Sequence, residues 1–258
     1  MGASVHPSAI VDPEARLAEG VHVGPNCVID AGVSVGRDSR LLPGTILMSG
    51  TSVGAACLLG PYASIGGEPM DSAFRGEQSH VELGDGVQVR DFASIHRATG
   101  QGQTTRVLAG ALVMSYVHVS HNAQIGQHAT LTSGSQLAGH TEIGAHAVLG
   151  AGTHVHQFVR VGMLSMTGAM SGLNRDVLPY SLAVGKFAEH YGVNRVGVRR
   201  AGITGERYSS LEKAMRALRR REPGLLEELA ESSEEVRILL EFIAAGTRGL
   251  SRFRGGGP

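Results

Sequence analysis

Aliphatic residues return at every sixth position along most of the chain's first 160 residues. Stepping by six from Val5 to Val161, 24 of 27 positions hold Val, Leu or Ile, and the breaks are Asp71, Glu77 and Gln101. The position two before the aliphatic one is usually small, as at Ala9, Ala15, Cys27, Ser39, Thr45, Thr51, Cys57 and Ala63. Each hexad reads as a short strand that turns one aliphatic side chain inward, followed by a tight turn that small residues tolerate. Stacked units of this kind cover one another's open backbone, so only the ends need caps.

The register resumes intact at Leu83 and again at Val107. Residues 66–82 and 97–106 are therefore expected to leave the repeat as external loops, and long loops on a rigid scaffold commonly carry function. Beyond about Asn174 the period lapses, and from Thr204 the pattern becomes helical. Thr204 is placed to cap a helix carrying Leu211, Ala214, Met215 and Leu218, and Pro223 stands near the start of another. Ser232 or Ser233 is placed to cap a last helix with Val236, Leu239, Leu240 and Ile243, and Gly246 is a stop. The chain divides into a repeat domain, 1–190, and a helical domain, 191–258.

The hexads resemble those of left-handed parallel β-helices, which implies an all-β prism of that class followed by a C-terminal α-helical subdomain. The resemblance also implies three hexads per coil of about 18 residues, and roughly eight coils stacked over ~40 Å.

Composition fits a repeat interior better than an ordinary globular core, since aromatics make up 4% of residues, Trp is absent and Gly numbers 37. Lys+Arg and Asp+Glu both total 23, which leaves no electrostatic footprint for nucleic acid or an anionic membrane. From Tyr191 onward, however, 13 basic residues face 9 acidic ones. The basic run from Arg195 to Arg221 is either an ordinary solvated face or a docking surface for an acidic partner or a phosphate. Cys27 and Cys57 fall at the small inner position on different faces and read as core filling in a reducing setting. No stretch has the pattern of a signal peptide or a membrane span, so a cytoplasmic protein without an integral membrane segment is expected.

Seven of the twelve histidines crowd one stretch: His118, His121, His128, His140, His146, His154 and His156. One coil separates His121 from Gly139 and Gly139 from Gln157, so these three form a column. His140 and His156 lie beside it, with His118 half a side away. Acyl transfer to an alcohol needs such parts. An imidazole removes the hydroxyl proton, an unobstructed N–H at Gly139 receives the oxyanion, and Gln157 offers amide groups to a polar substrate. His128, His146 and His154 read as exposed turn residues. Three close imidazoles are also a zinc set, as in the hexapeptide carbonic anhydrases, which take histidines from two subunits.

From His6 to Arg252 the chain resembles the acyl-carrier-protein–UDP-N-acetylglucosamine O-acyltransferases that begin lipid A synthesis. The segments that carry the resemblance include Ile95-His96-Arg97, His118-Val119-Ser120-His121, Leu137-Ala138-Gly139-His140, Val155-His156-Gln157-Phe158, Gly192-Val193-Asn194 and Thr247-Arg248-Gly249-Leu250. The resemblance implies His121 as general base on the glucosamine 3-hydroxyl and Gly139 as oxyanion donor. Asp71 and His118 would hold sugar hydroxyls, and His140 would lie near the N-acetyl and acyl groups. Gln157, Asn194 and Arg200 would bind the nucleotide or its phosphates, and His156 would line the same cleft. It further implies a homotrimer with sites between subunits, acyl carrier protein as donor, no cofactor and no metal. This chain has Asp71-Ser72-Ala73 where the family usually shows Asp-Leu-Lys, so Arg75 is the remaining cation on the first loop. Asn122 replaces the acid that commonly follows the base, Val196 and Ala201 replace polar and basic residues, and Ala169 stands where a Gly often limits acyl length. Alternatives are a related transferase using another amino-sugar nucleotide or coenzyme A, a zinc hydratase, and a carrier-binding protein without turnover.

Overall fold

The computed structural model describes residues 2–255. Most strands are two residues long, and up to the C-terminal end of the prism each pairs in parallel with the strand three further along the chain. Three sheets of eleven, nine and eight strands result, forming the faces of a triangular prism, a left-handed parallel β-helix. In a regular coil the partner lies 18 residues on, as in Val119↔Leu137 and Leu137↔Val155. Across the first break the offset is 30 residues (Val53↔Leu83, Ile65↔Ile95), and across the second it is 24 (Leu83↔Val107, Ile95↔Val119). The insertions thus amount to two hexads and one hexad, which is why the register survives them and why three sixth positions are not aliphatic. Between strands the loops occupy 68–79 and 97–103, inside the expected windows.

The sixth-position side chains fill the prism. Leu47, Leu59, Ile65, Ile95, Ile125 and Leu131 are all fully buried, each contributing about 1.5–3 kcal/mol relative to exposure. Small inner positions lie beside them, and several of their hydroxyls donate to turn carbonyls, as Thr45 Oγ1 does to Leu42 O at 2.8 Å. At the N-terminal end no coil lies above the first, so Val5 is exposed although it keeps the core register.

Coils continue past the lapse of the period, through Gly172–Leu173 and Ser181–Val184, so the first face holds ten parallel rungs where roughly eight coils were expected. An antiparallel strand, Glu189–Val193, then closes that face and runs straight through the expected boundary at 190/191. The helices begin with α1 (Arg195–Arg200), followed by α2 (Gly205–Arg220), α3 (Pro223–Ser232) and α4 (Glu234–Ala244). Thr204 occupies the N-cap of α2 without a side-chain cap bond, Pro223 is the first residue of α3, and Ser233 caps α4 by accepting from the Val236 N–H. Leu211, Met215 and Leu239 pack on Leu164, Leu178 and Tyr180, so the helical part closes the C-terminal end of the prism.

After α4 the chain returns across the prism as a strap, bridging Asp176 to Leu250 and His190 to Phe253. His190 pins it from inside. Its Nε2 accepts from the Leu178 N–H and its Nδ1 lies 3.0 Å from Ser251 O, so the neutral ring satisfies both bonds. Burial pushes the His190 pKa down to about 4. Between that value and the ordinary value of about 6.5, the unfolded chain binds the extra proton and acid destabilises the fold. The His190 contribution is complete above pH ~6.5 and is lost toward pH 4. Urea unfolding is expected to show stability falling by about 2 kcal/mol or more from pH 7 to pH 5, with a smaller fall in His190→Gln.

Candidate active site

His121, Gly139 and Gln157 are the first turn residues of successive coils on the edge joining the second and third faces. His140 N–H donates to His121 O (3.0 Å) and Phe158 N–H to Gly139 O (3.2 Å), which fixes the column. Both loops leave from the same edge, each following a second-face strand (Ser64–Gly67 or Ser94–His96) and preceding a third-face strand. The additional chain is therefore delivered to the histidines. The second residue of each turn is left-handed, with φ of 60° at Asn122, 57° at His140 and 64° at Phe158. There the His140 ring stacks on Phe158 at 4.7 Å and meets the His121 ring edge-on at 5.2 Å.

His121 is buried, and its Nδ1 lies 2.9 Å from Asn122 Oδ1. The backbone of Thr99, on the second loop, orients that amide. Thr99 N–H donates to Asn122 Oδ1 and Asn122 Nδ2 donates to Thr99 O, both at 3.0 Å. Asn122 thus presents an acceptor, so Nδ1 of His121 carries the hydrogen and the Nε2 lone pair is free. Asp71 Oδ2 stands 3.7 Å from the same Nδ1. The Ala73 N–H, first among several contacts, holds the Asp71 carboxyl below its usual range, so an imidazolium at His121 faces a carboxylate. A methyl group at Gly139 would sit 2.4 Å from both Cε1 and Nε2 of His121. The Gly139 N–H has no intramolecular acceptor among the described residues. The amides of His121 and Gln157 are likewise unpaired, but only Gly139 leaves the approach clear of a side chain.

His118 hydrogen-bonds Ser94 Oγ through Nδ1 (2.9 Å), and burial, with His96 beside it, pushes its pKa down to about 4. It is a neutral hydrogen-bonding group at pH 7. Burial first, and His121 second, lower that of His140. A cleft of ≈ 570 Å³ gathers His118, His121, Gly139, His156 and Gln157. Lys186 and Phe187, from the turn before the closing strand, also line it. They lie where the hexad period has lapsed, so the period could not place them.

The remaining expected residues stand elsewhere in the protomer. The Arg75 guanidinium folds back onto the carbonyls of Ser72 and Phe74 in its own loop. Asn194 is buried at the C-terminal end of the prism, donating to Leu164 O (2.9 Å) and capping α1, and Arg200 lines a separate hollow with Arg199 and Tyr208. Ala169 lies on the edge between the first and second faces. Among the described residues no three His, Cys, Asp or Glu side chains are grouped so as to hold a metal ion, and no helix is long and apolar enough to cross a membrane.

A hexapeptide prism that sets an imidazole against an uncovered backbone N–H defines a hexapeptide-repeat acyltransferase. Residues 176–251 match a sequence profile described as UDP N-acetylglucosamine O-acyltransferase, domain 2. An acyl-[acyl-carrier-protein]–UDP-N-acetylglucosamine O-acyltransferase of Halorhodospira halophila is 41% identical over 256 residues, covering 96% of this chain and 99% of that protein. The UDP-N-acetylglucosamine acyltransferase structure from Francisella novicida superposes with a TM-score of 0.94 at 28% identity, covering 98% and 95% of the two chains. That from Bacteroides fragilis gives 0.92 at 30%, covering 96% and 100%. The chain belongs to the acyl-[acyl-carrier-protein]–UDP-N-acetylglucosamine O-acyltransferase family.

Proposed function

We propose that the protein transfers an (R)-3-hydroxyacyl group from acyl carrier protein to the 3-hydroxyl of UDP-N-acetylglucosamine, the first step of lipid A biosynthesis, in the cytoplasm. The observation that carries this reading is the placement of the His121 ring against Gly139 at the head of the cleft. His121 Nε2 takes the hydroxyl proton as the sugar oxygen attacks the thioester carbon. The carbonyl becomes a tetrahedral oxyanion, which the Gly139 N–H receives. Collapse breaks the carbon–sulfur bond, and the imidazolium returns its proton to the departing thiolate. Asp71 stabilises that imidazolium, and Asn122 maintains the productive tautomer.

Asp71 and His118 also hold sugar hydroxyls, His140 borders the N-acetyl and acyl groups, and His156 and Gln157 contact the nucleotide. Asn194, Arg200 and Ala169 act from a neighbouring subunit of a homotrimer, which accounts for their distance from His121 within one protomer. Arg75, engaged in its own loop, serves the phosphates only if those two carbonyl contacts open. Incubation of the protein with carrier and coenzyme A thioesters against a panel of UDP-sugars, read by mass spectrometry, tests the assignment. A 3-O-acylated UDP-N-acetylglucosamine is expected with carrier thioesters, and no transfer from any carrier thioester overturns it. Ala169→Gly is expected to move the preferred chain toward longer acyl groups, since removing one methyl opens the pocket end by about one methylene. An unchanged chain-length profile would remove Ala169 from the ruler.

A further inference from the structure

The strap that follows α4 sets a cation against two residues of the cleft wall. Arg248 NH2 lies 3.1 Å from His156 Nδ1 and donates to Asn174 O at 3.3 Å, and both residues line the cleft. Its Nε is buried without a hydrogen-bond partner among the described residues. The position is built rather than incidental. Gly249 O accepts from the Asp176 N–H and Ser251 N–H donates to Asp176 O, both at 2.9 Å, so the peptides beyond Arg248 are stitched to the prism. Lys186 lines the same cleft, and among the described residues the carboxylate nearest its lining is Asp71, at His121 rather than at His156.

A guanidinium remains charged and only donates. The 3.1 Å contact therefore makes His156 Nδ1 an acceptor and places its ring hydrogen on Nε2. His156 Nδ1 also lies 3.2 Å from Gln157 O, a bond that would require the opposite tautomer, and the two arrangements exclude each other. A fixed guanidinium, an imidazole Nε2–H and an ammonium form a receptor for phosphate oxygens.

We propose that Arg248 is a phosphate-binding residue of the cleft and that it holds His156 as an Nε2–H donor to the same group. The inference rests on the acyltransferase reading, in which phosphate arrives from two sources: the diphosphate of the sugar nucleotide and the phosphodiester of the carrier's pantetheine arm. Binding of uridine diphosphate and of 4′-phosphopantetheine, measured by calorimetry on the full chain, needs no turnover and so fails independently of that reading. Arg248→Gln is expected to weaken one of the two ligands by about ten-fold or more, and the ligand affected names the source. Arg248→Lys should retain part of that affinity, while Arg252→Gln, on the same strap, should change neither. Nitrogen-15 spectra of the imidazoles should show His156 protonated on Nε2 in the parent and released from that tautomer in Arg248→Gln. If Arg248→Gln does not fold, Arg248→Lys decides: several-fold weaker binding with a released tautomer supports the proposal. Unchanged affinity for both ligands, or a His156 hydrogen on Nδ1 in the parent, overturns it.

Discussion

His121→Ala is expected to lower kcat by about a thousand-fold while leaving the acceptor KM within a small factor of the parent value, since general base catalysis contributes roughly 10²–10⁴. The ring's other contacts are with Asn122, Asp71 and His140, and its loss empties one turn without touching the aliphatic column. Unfolding should shift little. A variant that retains a tenth of parental kcat would show that the proton leaves by another route.

The second large effect is expected from a single methyl group. Gly139→Ala places a carbon 2.4 Å from Cε1 and Nε2 of His121, a separation that no relaxed structure tolerates. The ring cannot rotate aside without breaking its bond to Asn122, which Thr99 holds from the second loop. Activity should fall by about a hundred-fold or more, as it does when one oxyanion donor is lost. The far-ultraviolet circular dichroism spectrum should keep its parental form. Because the methyl acts by displacing the base, the double variant with His121→Ala should be scarcely worse than His121→Ala alone. Additive losses would argue that the two groups act on different steps.

Much of this architecture was legible in the sequence, for a reason particular to repeats. A six-residue period is read from many positions at once, so one substitution cannot hide it. Loops that add whole hexads leave the count undisturbed, and with the coil length implied by the resemblance, counting alone brought His121 beside Gly139 and Gln157. Features that depend on long-range contacts were not visible. The short helix α1 forms where the buried Asn194 side chain accepts from the Gly197 N–H. The closing strand through residue 190 and the strap back to Asp176 have no periodic signal. The orientation of the Asn122 amide depends on a backbone in the second loop, and nothing local to residues 121–122 announces it. Lys186 and Phe187 reach the cleft from the turn before the closing strand, and Arg248 reaches His156 only because the chain's end doubles back over the prism.

The proposed base and oxyanion donor stand on consecutive rungs, so the backbones that carry them are one hydrogen-bonded strand spacing apart, about 4.8 Å. Peptide geometry sets that separation, and substitutions among the core aliphatics can neither stretch nor compress it. Divergence in this scaffold is therefore free to rework acyl pocket and nucleotide contacts while the backbone spacing beneath these two groups stays constant.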